Sequence, residues 1–163
     1  MLAPTAGEPQ DGFTTQPDRA ERSGRPYLQG RARARWGTGG WVGFELRAEG
    51  FTGQALAGLG GGGIGQSMVR DGVPVRTSGG WVQLNLGPSI AWEVGAGFGL
   101  DDPDDADLNP ESRRRNLAFS GHLHWRRAPA VLGLEVREIR TRYATPVGTL
   151  GATHVNLAAG FEF

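Results

Sequence analysis

Several things are missing from this sequence, and each absence closes off a class of protein. There is no cysteine, so disulfides, thiolate nucleophiles and zinc–thiolate sites are excluded together. No run of about 18 apolar residues is present, which excludes a membrane-crossing helix. Neither sign of charge is in excess: 17 basic residues stand against 17 acidic ones, so no global field points to nucleic acid or to an anionic membrane surface. Lysine is absent too, and all 17 basic residues are arginine. A biased genome is the plain explanation for that, and a need for permanently charged guanidinium forks is the sharper one. The start of the chain lacks the basic stretch and apolar run of a secretion signal. Residues 1–26 are rich in Pro, Gly and charge without periodicity, and we read them as a loop or disordered segment ahead of one folded unit, 27–163.

Glycine, by contrast, is abundant at 28 residues, and it is spread through segments that alternate strictly. In "YLQGRARARW" the residues Tyr27, Gln29, Arg31, Arg33 and Arg35 share one face, and Leu28, Gly30, Ala32, Ala34 and Trp36 the other. After the turn "GTGG", Val42, Phe44, Leu46 and Ala48 oppose Gly43, Glu45, Arg47 and Glu49. A period of two with one greasy face is the mark of a β-strand, and the pair reads as a hairpin. The same pattern recurs in "GWVQLNL", "IAWEVGAGFGL", "NLAFSGHLHWR", "VLGLEVREIRTRY" and the closing "THVNLAAGFEF".

About seven strands result, most near the ~9–11 residues that cross a bilayer as a tilted strand. Their connections alternate in length: short (37–40), long (51–79), short (87–89), long (101–115), short (127–130) and medium (144–152). Barrels of the outer membrane have short turns on one side and long loops on the other. Trp36, Trp41, Trp92 and Trp125 all adjoin the short turns, and Trp36, Trp92, Trp125 and Phe163 share the apolar face, as an aromatic girdle would. The expected fold is therefore all-β, an antiparallel up-and-down transmembrane β-barrel segment of about seven strands. An eighth could come only from residues 1–26. A soluble β-sandwich is the rival, and it would collect its large aromatics at mid-strand. Barrels of one bacterial chain have even strand numbers from eight upward, which favours a fragment of a larger barrel.

The ending "HVNLAAGFEF" resembles the C-terminal signal of bacterial outer-membrane proteins, in which alternate apolar positions and a final Phe are read by the barrel-assembly machinery. Across about residues 45–163, "GFTGQALAGLGGGGIGQ", "GGWVQLNLGPSIAWEVGAGFGLDDPDDADL" and "RRNLAFSGHLHWR" resemble the C-terminal half of porins of the dicarboxylate-channel (DcaP-like) type. That resemblance implies a sixteen-stranded trimeric diffusion pore, from which this chain departs by lacking a front half and a signal peptide.

Alternation assigns the candidate site. Arg31, Arg33 and Arg35 would line a water-filled lumen and select anions, unless Glu45 and Glu49 neutralise them across the hairpin. Arg47, Glu93, His122, His124, Arg126, Glu135 and Arg137 fall on the same polar face. Trp36, Trp92, Trp125 and Phe163 would mark the membrane interface. Gly58, Gly60 and Gly63 match G-x-G-x-x-G, but no helix pattern follows, so a loop is expected and not a nucleotide site. Asp105, Asp107 and Asn109 lack the glycine and terminal glutamate of an EF-hand, and an acidic loop facing Arg113, Arg114 and Arg115 is the default. Ser120, His122 and Glu135 could be placed as a triad, but no nucleophile elbow accompanies them. The expectation is thus a non-enzymatic porin-type channel in the bacterial outer membrane, passing small hydrophilic, preferably anionic, solutes without metal or cofactor. Its partners would be outer-membrane lipid, the assembly machinery, and the rest of a larger barrel or further copies, with no nucleic acid. A non-conducting structural barrel and a soluble binding module are the alternatives.

Overall fold

The structure, a computed structural model, describes residues 2–3, 27–37, 43–54, 69–70, 73–144 and 147–162. Its elements are β1 (Leu2–Ala3), β2 (Tyr27–Gly37), β3 (Gly43–Gln54), β4 (Val69–Arg70), β5 (Val73–Pro74), β6 (Arg76–Gly87), β7 (Trp92–Pro103), β8 (Arg113–Arg127), β9 (Ala130–Tyr143) and β10 (Thr149–Phe161). One short 3-10 turn, Asp105–Asp107, is capped by the Asp104 side chain, which accepts from the Ala106 amide at 3.0 Å. The described residues contain no α-helix.

Each long strand pairs with its sequence neighbours in the order β1-β2-β3-β6-β7-β8-β9-β10, and β4 and β5 form a separate small hairpin. Every pairing is antiparallel. The architecture is therefore the expected up-and-down sheet, with seven long strands and an eighth, two-residue strand from the N-terminal segment. Leu2–Ala3 pairs with Tyr27 and Leu28, while residues 4–26, read as loop from the sequence, lie outside the described residues. The sheet is not closed on itself among the described residues: β10 bonds only β9, and every residue of β10 is exposed.

Short connections set the register where they occur. Two residues, Ala128 and Pro129, separate β8 from β9, so Arg127 faces Ala130 and every later pair follows by counting. Before β10 the chain turns back through Gly148, whose φ of 76° suits a residue without a Cβ, and the Tyr143 amide donates to its carbonyl at 2.8 Å. Several strands run further than hydropathy indicated. β3 continues to Gln54, β6 starts at Arg76, β7 continues to Pro103 and β8 starts at Arg113, within segments read as loop. Backbone ladders need paired N–H and C=O groups, not apolar side chains. The ladder thus persists where both faces have become polar.

Two rows of side chains cross the whole sheet. Trp36, Phe44, Leu86, Val94, Leu123, Leu134 and Leu157 are successive cross-strand partners on one face. Arg35, Glu45, Asn85, Gly95, His122, Glu135 and Asn156 are successive partners on the other. On the apolar face Trp92 meets Trp125 at 6.5 Å between centroids and Phe98 meets Phe119 at 5.3 Å. Such aromatic pairs contribute about 0.5–1.5 kcal/mol each beyond area burial.

Burial is inverted relative to a water-soluble core. Among the described residues the only buried hydrophobic side chains are Val75, Leu108 and Ala144, all near the long-loop end. Phe44, Leu84, Trp92, Phe119, Leu134 and Leu157 are exposed. Glu45 and Asn85, by contrast, are at 0 % exposure. In a single-layered sheet, that makes the polar face the concave one.

Candidate functional site: the polar concave face

Strands β2 and β3 supply the first half of this face. Their hairpin register puts Arg31 opposite Glu49, Arg33 opposite Arg47 and Arg35 opposite Glu45. Glu45 accepts from three guanidinium groups: Arg33, Arg35 at 3.4 Å and Arg47 at 2.7 Å. Glu49 accepts from Arg31 at 2.5 Å and from the Gln29 amide at 2.6 Å. The pairing considered from the sequence is therefore formed. Among the described residues four arginines nonetheless share two carboxylates, so this part of the face carries more positive than negative charge along a row of half-exposed guanidinium heads.

The belt extends beyond the arginines through residues that sequence reasoning had left out of the site. The Asn85 amide donates to Glu45 Oε2 at 3.4 Å, and Gln83 donates to Asn85 Oδ1 at 2.8 Å. Their signal was present, since both lie on the polar side of the alternation in "GWVQLNL". At the far side, Glu135 accepts from Arg137 at 2.9 Å and from Asn156 at 3.1 Å.

Between these regions the face is built on glycines covered by side chains of the neighbouring strands. Gly95, Gly97 and Gly99 occupy the polar side of β7, and a Cβ on Gly97 would meet the Ser120 hydroxyl at 2.7 Å. The neighbouring rings of His122 and His124 stack with centroids 4.8 Å apart. Glu93 reaches both, with its Oε1 at 3.5 Å from His122 Nε2 and 3.4 Å from His124 Nδ1. Glu135 is the register partner of His122 on β9. Ser120 shares their face, but no hydrogen bond among the described residues joins it to His122, so the three are neighbours without the bonded geometry of a triad.

Arg126 stands apart from the belt. It pairs with Glu162 at 3.1 Å near the short-turn end. On the opposite, apolar face, Trp36, Trp92 and Trp125 lie toward that same end. Trp41 and Phe163, the other residues assigned to that aromatic level, lie outside the described residues, as do Gly58, Gly60 and Gly63.

At the long-loop end the acidic segment is taken up by arginines. Arg76 bridges Asp104 at 2.9 Å and Asp107 at 2.6 Å, Arg114 bridges Asp105 at 3.1 Å, and Arg115 holds Asp102 through two bonds of 3.0 and 3.1 Å. The opposition of this loop to Arg114 and Arg115 is as expected, while the bridge from Arg76 comes from β6, the neighbour of β7 in the sheet. A cleft of about 570 Å³ opens here between Gln54, Arg76, Asp102 and Arg142.

The fold and face together define an up-and-down antiparallel β-sheet with an apolar outer surface and a charged, partly ion-paired concave surface. No protein-family model, curated protein or solved structure matches the chain.

Proposed function

We propose that this chain is the wall of an outer-membrane porin-type channel, or the C-terminal portion of one, through which small hydrophilic solutes diffuse with a preference for anions. The observation that carries the reading is the inverted burial: large apolar side chains stay exposed across seven strands while the polar Glu45 and Asn85 are fully buried, with Val75 the one apolar side chain among the described residues buried to the same degree. In water such a surface would be a large aggregation-prone patch. Against lipid tails it is the favoured arrangement, and alternation then assigns the charged face to a water-filled interior. The positive surplus of the β2–β3 network supports anion preference, because fixed charge in a narrow, low-dielectric passage concentrates counter-ions.

The bare edge of β10 fits an assembly completed by further strands or another copy, since unpaired backbone groups in hydrocarbon cost several kcal/mol each. In the same reading Trp36, Trp92 and Trp125 rest at the lipid–water interface, and the alternate apolar residues of "HVNLAAGFEF" present the strand to assembly machinery.

Planar-bilayer recording tests the proposal. Protein refolded into lipid should give discrete conductance steps, with a reversal potential under a salt gradient that reports anion preference. Brominated lipid should quench the tryptophan fluorescence. A chain that stays monomeric without detergent and escapes quenching would be a soluble binding module. Quenching without conductance would mark a structural, non-conducting wall.

A further inference from the structure

We propose that Glu93, His122 and His124 form a binding site for one divalent transition-metal ion of the zinc class. The site is distinct from the arginine network, and it stands whether or not the concave face conducts ions.

Three observations carry it. One is ligand spacing. Zinc bonds imidazole nitrogen and carboxylate oxygen at about 2.0–2.2 Å in a tetrahedron, so two ligand atoms on one ion sit about 3.3–3.5 Å apart. Glu93 Oε1 is 3.5 Å from His122 Nε2 and 3.4 Å from His124 Nδ1, and the three ligand atoms lie within 4.8 Å of one another. Two edges of the tetrahedron are thus already in place. The third edge, between the two imidazole nitrogens, falls within the same 4.8 Å, and the His124 side chain is half exposed.

A second observation is an unmet nitrogen. The His122 side chain is 6 % exposed, and its Nε2 is buried with no hydrogen-bond partner among the described residues. At 3.5 Å Glu93 is near enough to attract it but too far for a good hydrogen bond. Leaving a buried polar atom unsatisfied costs about 1–3 kcal/mol, and a metal ion between the two atoms would remove that cost.

The third is a seat cut to the rings. Gly95 lies beneath His122, where a Cβ would collide with the imidazole and meet Asn85 Oδ1 at 2.7 Å. Gly133 lies beside His124, where a Cβ would press on the ring at 3.2 Å. Two neutral imidazoles and one carboxylate are the donor set preferred by zinc, nickel and copper(II) over magnesium or calcium, which favour all-oxygen shells. The remaining position would open to water on the concave face, where His124 is exposed.

The experiment is metal binding by the refolded full chain. Equilibrium dialysis against zinc should give one saturable zinc per chain, and cobalt(II) should give the intense visible bands of a four-coordinate ion, displaced by zinc. His122→Gln and His124→Gln should each weaken zinc binding by at least about tenfold, as loss of a direct ligand requires. His154→Gln, which removes the remaining histidine, should leave it unchanged. The proposal is overturned by an absence of saturable zinc uptake, by the weak spectrum of six-coordinate cobalt in the wild-type chain, or by undiminished affinity when His122 and His124 are both glutamine. The cobalt spectrum is read on the unaltered protein, so a variant that fails to fold does not shield the claim.

Discussion

The β2–β3 corner and the β7–β8 corner lie on one face and share the same rows, yet they resolve their polar groups in opposite ways. At β2–β3 the positions from Arg31 to Arg35 and from Glu45 to Glu49 on this face all carry long charged side chains, and Glu45 accepts from three guanidinium groups. At β7–β8 Gly95, Gly97 and Gly99 take the β7 positions, and among the described residues the buried Nε2 of His122 has no hydrogen-bond partner. A strand's alternation decides which side a residue faces, but side-chain length decides whether the groups there satisfy one another or leave room for something else. The first corner is a network of ion pairs, and the second brings two imidazoles and a carboxylate together over glycines.

The largest effect expected from breaking this contrast comes from reversing the faces at β2. Ala32 and Ala34 neighbour Ala48 and Leu46 on the apolar side. An arginine on the lipid side of a barrel costs roughly 2–4 kcal/mol at the midplane. Ala32→Arg with Ala34→Arg should therefore abolish folding into vesicles, read as loss of the protease-resistant fraction.

Next comes Glu45→Gln, which leaves Arg33, Arg35 and Arg47 converging on a neutral amide. Because those arginines are half exposed, water offsets part of the loss, and a destabilisation of about 1–3 kcal/mol is expected in a urea titration. Anion preference should rise in the same variant. A fall would mean that the carboxylate organises the passage and does not merely neutralise it.

Gly95→Ala probes the other corner. The new methyl group must push the His122 ring aside, at a cost of about 1–3 kcal/mol typical of overpacking. Zinc binding should be lost with it. Retention of zinc by a folded Gly95→Ala protein would show that the glycine floor is incidental.

Replacing Arg31, Arg33 and Arg35 together with glutamine should change folding little, since Arg47 still pairs with Glu45. It should lower anion-over-cation permeability, most clearly at low salt where screening is weakest. Blocked folding with unchanged ion preference would instead make the ladder a structural ion-pair network. Smallest of all should be Arg115→Gln at the loop end. Its exposed pair with Asp102 contributes about 0–1 kcal/mol, within the error of most unfolding titrations.

Much of this arrangement could be read in advance, and the reasons for the gaps are physical. Alternation gave the faces of Arg31, Arg33, Arg35, Glu45 and Glu49, and the short β2–β3 connection gave their pairing. It likewise put His122 and Glu135 on the polar face of adjacent strands, and the two-residue connection Ala128–Pro129 then makes them direct partners. Glu93 was visible as a polar-face residue but not as the partner of both histidines. The connection from β7 to β8 runs through 104–112, and a loop of that length leaves the register free, so no counting from a turn brings residue 93 beside residue 124. The strand ends at Gln54, Arg76, Pro103 and Arg113 were missed because hydropathy stops alternating there while the backbone pairing does not.

The glycines of β7 also bear on how the wall deforms. Gly95 and Gly97 bring no side chain of their own to the concave side, and the space above them is filled by the His122 ring, Asn85 and the Ser120 hydroxyl reaching over from the neighbouring strands, so bending the sheet there moves side chains that are not anchored on β7. The β2–β3 wall, separated from β7 by β6, is braced by crowded guanidinium and carboxylate groups. Treated as an elastic shell, the sheet is stiff along one line and creased along another. Thermal flexing of the sheet should then concentrate along β7, moving mainly the two imidazoles that lie over its glycines.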